Sequence, residues 1–564
     1  MFRIRGWRGV LRGLVLGIAF WAGAAGAPAA EQQTAAIASA HPLATLAGLE
    51  ILRQGGNAFD AAVAVSAVLS VVEPYASGLG GGGFVLLHRA RDGREAMLDA
   101  RETAPAAARL DQYLDRDGRP IAGATTRGGT AAGIPGTPAL YAYLAEHYGS
   151  LPLKVTLAAA IRHARDGFAV DGRYARIAAL RERFLQERPD AGRIFLDHGR
   201  APRQGWLLRQ PELALTLERL ASEGRSGFYE GTVAGALVET VKRAGGSWQR
   251  SDLAGYRVIE RAPLRFRYHG ATITTAALPS AGGIELGQSL NMLGRFELAD
   301  PRLPASAHLV VEALRRAFHD RALHLGDSDF VKVPVSRLTS RAHADDQAAT
   351  IQPDAATSSE TLGTEVPLPA GTSTTHFSVI DAQGNRVGAT TTINLLFGSG
   401  VVAAGTGVLI NNEMDDFSLR YDVPNSFRLR GGDANAIAPG KRPLSSMTPT
   451  FVEDAKGVLV LGAPGGSRII SQVLLAVLEY VRSPGVDLAA LVGAPRYHHQ
   501  WWPDRVEVEP GAFGAEWRAA LEARGHRVEF AKRRWGNMQV VFKSKSDGSA
   551  RAASDPRGSE IGWY

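Results

Sequence analysis

Not one cysteine occurs among the 564 residues. Disulfides, thiolate metal sites, thiol nucleophiles and a lipid-anchored N-terminal cysteine are therefore excluded, and any covalent catalyst must be an oxygen or an amine. Signatures of other enzyme classes are missing too. There is no H-E-x-x-H for zinc and no serine set in G-x-S-x-G. Gly440-Lys441 is followed by Arg442 rather than Ser or Thr, so it is no phosphate loop. Gly78 to Gly83 satisfies G-x-G-x-x-G, but a strand-like run follows where dinucleotide binding needs a helix, and a tight backbone turn is the better account. His498-His499 stands isolated, as packed or hydrogen-bonded histidines do. No segment combines low hydrophobicity with the high charge of disorder.

Long apolar runs are also lacking. The run from Gly13 to Ala25 falls short of the ~20 residues of a membrane span. It follows Arg3, Arg5, Arg8 and Arg12 and precedes Ala27-Pro28-Ala29, the pattern of a secretory signal peptide over residues 1–29, without a twin-Arg pair. Removing it takes away four arginines and no acids, so the formal charge falls from +7 to +3. The basic balance is thus largely a targeting feature, and it makes no case for nucleic acid. Export to the periplasm or the medium is the expectation.

What remains is an ordinary globular composition, 45% hydrophobic and 21% charged, long enough for one large domain or two intimate ones. Leu43–Gln54 reads as an amphipathic helix closed by Gly55-Gly56. Asn57 caps a second helix, apolar on every side from Ala61 to Val72 and so expected to be buried. Phe84–Arg89 and Glu95–Glu102 flank Asp92-Gly93 as a hairpin. About residues 140–350 the pattern is mainly helical, with strand-like patches near Tyr256–Ile273. Residues 351–373 are rich in Ala, Thr, Ser, Pro and Gly, lack periodicity and read as an exposed, mobile linker. Strands then begin abruptly, Phe377–Asp381 and Val387–Asn394 around a Gln383-Gly384-Asn385 turn, with Val458–Gly462 and a helix over Ser467–Val481 further on.

Side chains on a strand repeat every two residues, so Thr390, Thr392 and Asn394 are expected on one face, with Thr391 on the other. Three short polar groups on an otherwise apolar strand need partners or line a site. Pro464-Gly465-Gly466-Ser467 lies between a strand and a helix, where free backbone N–H groups and the helix dipole can hold developing negative charge.

TTHFSVID, TTTIN, NNEMDDF, GGDANA, KRPLSSM, APGGSRI, YHHQWWPD and ASDPR follow one another here in the order seen in the γ-glutamyltransferase family. GLEILRQGGNAFDAAVA, SGLGGGGF, DARETAP and ALPSAGGIELGQ extend the resemblance over essentially the whole mature chain. It implies the α+β fold of N-terminal-nucleophile hydrolases, a four-layer αββα sandwich. It also implies self-cleavage between Ser373 and Thr374, giving a large subunit of residues 30–373 and a small one of 374–564 that fold as one intertwined catalytic domain. Neither a cofactor nor a metal is expected.

By the same resemblance Thr374 is the nucleophile. A threonine hydroxyl needs a base, and a freed α-amine, with an unperturbed pKa of ~7.7–8.0, supplies one in reach of its own hydroxyl. Thr392 and Thr390 would hold Thr374 in its rotamer. Gly465 and Gly466 would hold the oxyanion. Arg101 would take the donor's α-carboxylate as a planar fork, helped by Ser445 and Ser446, and Glu413, Asp416 and Asn394 would take its α-ammonium. Asp415 reads as a turn or ion-pair residue. The substrates implied are glutathione and other γ-glutamyl compounds, with water, amino acids or peptides as acceptors.

One position departs from the pattern. Many bacterial members carry a lid tyrosine whose hydroxyl latches to the residue matching Asn394; here Phe427 stands in its place and cannot donate that bond. Two other functions compete. A cephalosporin or glutaryl acylase, or a poly-γ-glutamate transpeptidase, would share the fold, though a glutaryl group has no ammonium for Glu413 and Asp416. A catalytically inactive periplasmic γ-glutamyl peptide-binding protein would keep Arg101 and Glu413 but not need Thr374. Purified active protein is expected to run as two bands, the smaller of 191 residues (564 − 373) starting at Thr374. Thr374→Ala should abolish both cleavage and turnover. A single intact active chain, or normal processing of Thr374→Ala, would refute this assignment.

Overall fold

The computed structural model describes residues 33–363, 374–420 and 423–558. The expected signal peptide and Ser373 lie outside the described residues. Helix α1 (Pro42–Arg53) and helix α2 (Ala58–Val72) match the sequence reading closely. The Asn57 side chain accepts from the backbone N–H groups of Phe59 and Asp60 while Asp60 accepts from Asn57, a capping box that satisfies the free donors of the first turn. Every residue of α2 is buried.

Two six-stranded antiparallel sheets form the centre. The first comprises β1 (Ala36–Ser39), β2 (Gly82–Arg89), β3 (Arg94–Ala100), β4 (Ile259–Arg261), β7 (Thr375–Ile380) and β8 (Arg386–Thr392), in the order β1-β7-β8-β2-β3-β4. The second comprises β5 (Leu264–Tyr268), β6 (Ala271–Thr275), β9 (Thr450–Glu453), β10 (Gly457–Gly462), β11 (Gln539–Ser544) and β12 (Ala550–Ser554), in the order β12-β11-β10-β9-β6-β5. Period-2 alternation sorts each strand of the first sheet between two cores. Val85, Leu87, Phe377 and Val379 join α1 and α2 in one. Phe84, Leu86 and Ile380 face Phe451, Leu459 and Val541 of the second sheet in the other, which continues beneath helices α3 (Gly282–Leu293), α4 (Pro304–His324) and α5 (Arg468–Arg482). Helix, sheet, sheet, helix is the expected four-layer α+β sandwich. Segments before and after Thr374 share both sheets, since β1 pairs with β7 and β6 with β9.

Glycines 80–83 do what the turn reading requires. A Cβ at Gly80 would lie 2.1 Å from the Leu409 carbonyl oxygen, and one at Gly81 2.0 Å from that of Thr392. The backbone therefore passes directly against β8, which carries the site.

Residues 351–363 are largely exposed, as expected of a linker, but they are pinned at the buried Ile351 and Ser359. Ser359 is fully buried, donates its hydroxyl to the Trp501 carbonyl (2.7 Å) and accepts from the Trp501 indole (3.1 Å), while its N–H donates to Asp504 (2.8 Å). Short polar residues here satisfy buried groups of neighbouring segments, an irregular role that leaves no periodicity to read.

Candidate active site

Thr374 stands at the head of β7, 6% exposed, and its hydroxyl donates to that of Thr392 across 3.4 Å. Pairing of Thr375 with Thr391 and of His376 with Thr390 fixes the register, so even-numbered residues of both strands point between the sheets and odd ones toward the helices. Thr391 faces away, as expected. Thr390 does not reach Thr374: its hydroxyl meets Nδ1 of the buried His376 at 2.8 Å, because a same-face step of two residues carries it one rung deeper. The parity reading also ran two residues too far. The strand ends at Thr392, and Asn394 has φ +71°, a left-handed turn residue rather than a strand residue. Its backbone N–H donates to the Thr392 hydroxyl (2.8 Å), which holds that oxygen toward Thr374.

A small cleft opens beside Thr374, and its wall brings together Arg101, Thr392, Asn394, Glu413, Asp416, Ser445, Ser446, Gly466 and Phe427. Gly465 adjoins this wall without lining it. Arg101 follows the last residue of β3 and is 1% exposed; its two terminal nitrogens contact Glu413 and Asp416. Its Nε donates to the Pro443 carbonyl (3.2 Å), tying it to the strap that carries Ser445 and Ser446. Glu413–Asp416 form one 3₁₀ turn, anchored where Asn411 donates to the carbonyls of Gly80 and Gly133 (2.7 Å each). Asn394 donates to the Asn412 carbonyl (2.8 Å), and its own Oδ1 is buried with no hydrogen-bond partner.

Sequence reasoning missed Glu102. It is fully buried 3.7 Å from Arg101, and neither carboxylate oxygen has a partner. Burial pushes it up to about 7 against the pull of Arg101, and burial likewise raises Glu413 well above the ordinary carboxylate range. One cation among three acids leaves a proton in the cluster at acid pH. Asp415 points elsewhere, accepting from Thr125 (3.0 Å) and from the Ser426 N–H (3.1 Å).

Gly465 and Gly466 have φ +137° and +59°, and among the described residues no acceptor takes either N–H. Gln472 donates to the Pro464 carbonyl (2.9 Å) and holds this turn from below. Phe427 packs its ring against Gly466 so closely that a Cβ there would lie 2.2 Å from it. The loop bearing Phe427 is held by other groups than a residue-427 hydroxyl. Asn425 donates to Asp416 (3.1 Å), and Gln500 donates to the carbonyls of Phe427 (3.2 Å) and Arg428 (3.1 Å). Asn425 and Gln500 were not singled out from the sequence, although Gln500 lies within YHHQWWPD.

His308, Glu312 and His526 come within metal-ligand distance of one another. Most of their polar atoms are already engaged, although Nδ1 of His526 has no hydrogen-bond partner. The two imidazoles share a 2.7 Å hydrogen bond, His308 also bonds the Gln352 carbonyl (2.7 Å), and Glu312 pairs with Arg315 and Arg316. Two guanidiniums beside the cluster oppose a cation, and the group reads as an anchor for residues 351–363. His498 and His499 are buried and neutral, held by Ser471 and Asp504.

The sequence pattern of the Gamma-glutamyltranspeptidase family matches residues 44–563. The chain belongs to that family. It is 41% identical over 527 residues to the glutathione hydrolase proenzyme of Escherichia coli strain K12, covering 92% of this chain and 90% of that one. A second glutathione hydrolase proenzyme, from Pseudomonas aeruginosa, is 40% identical over 98% of both chains. Among solved structures, the cephalosporin acylase from Bacillus halodurans superposes with a TM-score of 0.80 at 27% identity, over 93% of this chain and 95% of that one. As a member of the family the protein is an enzyme acting on γ-glutamyl bonds. No helix among its described residues is long and apolar enough to cross a membrane. Gly466→Ala should lower turnover of a γ-glutamyl anilide by about a hundredfold or more, because the added methyl collides with Phe427 and displaces a candidate oxyanion donor. Near-normal steady-state turnover of that variant would remove Gly466 from the site.

Proposed function

We propose that the enzyme cleaves γ-glutamyl amides, glutathione among them, through a γ-glutamyl ester on Thr374, and passes the acyl group to water or to an amine. The precursor would be cut at Ser373–Thr374 after export directed by residues 1–29. This frees the α-amine of Thr374, which takes the proton from its hydroxyl as Oγ1 attacks the γ-carbonyl carbon. The resulting oxyanion lies at the N–H groups of Gly465 and Gly466. Its collapse expels the leaving amine, which takes the proton, and leaves the ester. Water or an acceptor amine then repeats the sequence in reverse and restores the Thr374 hydroxyl. Thr392 orients Thr374 directly, while Thr390 bonds His376.

The observation that carries the donor assignment is the self-paired charge at the cavity wall. Arg101 pairs with both Glu413 and Asp416. A γ-glutamyl head carries the complementary pair, a carboxylate for Arg101 and an ammonium for the acids and the unpartnered Asn394 oxygen. Ser445 and Ser446 lie in the same wall to assist the carboxylate. A glutaryl group would satisfy Arg101 and leave the acids facing nothing, which disfavours an acylase despite the likeness to one.

The test compares γ-glutamyl and glutaryl anilides. Losing one partner of a buried pair costs on the order of 3–5 kcal/mol, so Arg101→Ala should reduce γ-glutamyl turnover about a hundredfold or more while self-cleavage persists. Asp416→Asn should do the same for γ-glutamyl but not glutaryl donors. The acids must be ionised to accept from an ammonium, and raised pKa values keep a proton on the cluster to higher pH. The γ-glutamyl over glutaryl ratio of kcat/KM should therefore keep rising with pH above the ordinary carboxylate range, because burial holds the Glu413 proton to higher pH. Titration of the Thr374 amine is common to both donors and cancels in the ratio. A wild type that prefers glutaryl, an unaffected Asp416→Asn, or a flat ratio would overturn the assignment.

A further inference from the structure

The end of α2 carries a buried acid that has no part in the proposed reaction. Glu73 follows the last residue of that helix and is fully buried. Its Oε1 accepts from the Tyr75 hydroxyl (2.8 Å) and from Arg173 (3.1 Å), and its Oε2 accepts from the Thr375 hydroxyl (2.8 Å). Packing alone does not call for an acid here. A helix C-terminus carries partial negative charge that opposes a carboxylate, and burial opposes it further. Two other titratable neighbours are committed elsewhere. Asp171 caps the helix Gly172–Gln186 through the Tyr174 N–H (2.7 Å), and His41 caps α1 through the Leu43 N–H (3.2 Å). Arg173 is the cation that balances Glu73. Tyr75 also accepts the Phe397 N–H at its carbonyl (3.2 Å), so the acid sits where segments from before and after Thr374 meet.

The residue that Glu73 holds is the first of β7. Pairing of β7 with β1 runs from Ile380 to Phe377, whereas pairing with β8 continues to Thr375. Thr375 enters the sheet in register with one neighbouring strand, and its side chain, turned toward the helices, is tied to the end of α2 by Glu73. Thr374 is restrained by the chain on both sides before cleavage and through Thr375 alone afterwards. We propose that Glu73 is a positioning residue for the freed N-terminus. Through the Thr375 hydroxyl it keeps the Thr374 hydroxyl aligned with Thr392 once the preceding peptide bond is gone. The proposal rests on Thr374 as the nucleophile. A hydrogen bond to a charged acceptor is roughly twice as strong as a neutral one, which suits a tether at a chain end. Glu73 touches neither the donor nor the reacting atoms, because Arg101 and the rest of the donor wall share the other face of β7 with the Thr374 side chain. Its loss therefore falls on the chemical step and not on donor binding.

The experiment measures steady-state hydrolysis of a γ-glutamyl anilide by the self-cleaved protein. Thr375→Val removes the hydroxyl at nearly constant volume, and Glu73→Gln removes the charge. Each should lower kcat about tenfold and leave KM within about twofold of wild type, because nucleophile alignment is felt in the transition state. Thr375→Ser, which keeps a hydroxyl, should retain most of the wild-type kcat. Glu73→Gln combined with Thr375→Val should be no slower than the slower single variant, since both remove one contact. Where Glu73→Gln fails to fold, the comparison of Thr375→Val with Thr375→Ser decides. The proposal is overturned, with Thr374 still the nucleophile, by any of four results: Thr375→Val that keeps wild-type kcat or does not self-cleave, a loss carried by KM, Thr375→Ser as slow as Thr375→Val, or losses that multiply in the double variant. A Thr374→Ala protein that still self-cleaves and turns over removes the nucleophile and this proposal together.

Discussion

A guanidinium buried to 1% exposure and shared between two carboxylates is the contact on which the rest of the site depends. Arg101 belongs to the end of β3, Glu413 and Asp416 to a 3₁₀ turn more than three hundred residues later, and Asp416 in turn receives Asn425 of the loop over the cavity. An unpaired charge at that depth is prohibitive, so these segments must close around one another whenever the fold forms. The same pairing leaves a cavity with charges of both signs that are satisfied but exchangeable. A ligand bearing one carboxylate and one ammonium can replace the internal partners charge for charge. A ligand bearing only one of them cannot.

Backbone proximity is the second constraint, and it comes from glycine. Gly80 and Gly81 run within a Cβ's width of the carbonyls of Leu409 and Thr392, which fixes the end of β8 and hence the Thr392 hydroxyl. Gly465 and Gly466 turn with positive φ and keep two N–H groups free at the foot of α5. Strand register therefore aims the Thr374 hydroxyl, and the glycine turns place its surroundings, with little asked of side-chain packing.

How much of this was legible in the sequence follows from which interactions are local. Period-2 parity put Thr390 and Thr392 on one face and Thr391 on the other, and the capping residues delimited α2. The motif order pointed to the family and so to Arg101, Glu413 and Asp416. What failed did so for non-local reasons. Thr390 was assigned to Thr374 because parity gives the face but not the rung, and His376 occupies the rung opposite. Asn394 lies two residues past the strand's end because its left-handed turn depends on the Asn412 contact across the chain. Glu102 was passed over because nothing local in the sequence announces its burial, and burial is what raises its pKa. Residues 351–363 lack periodicity because they fill gaps between other segments.

Phe427 shows how a lost hydroxyl is accommodated. The Asn394 Oδ1 that a tyrosine would reach is left unpartnered. The loop nevertheless closes, because Asp415 takes the Ser426 N–H, Asp416 takes Asn425, and Gln500 holds the carbonyls of Phe427 and Arg428 from the opposite side. Closure is shared among several contacts along the loop. The consequence is chemical as well as mechanical. An orphaned amide oxygen is an acceptor waiting for a donor, and in this cavity the donor that fits is the ammonium of the γ-glutamyl head.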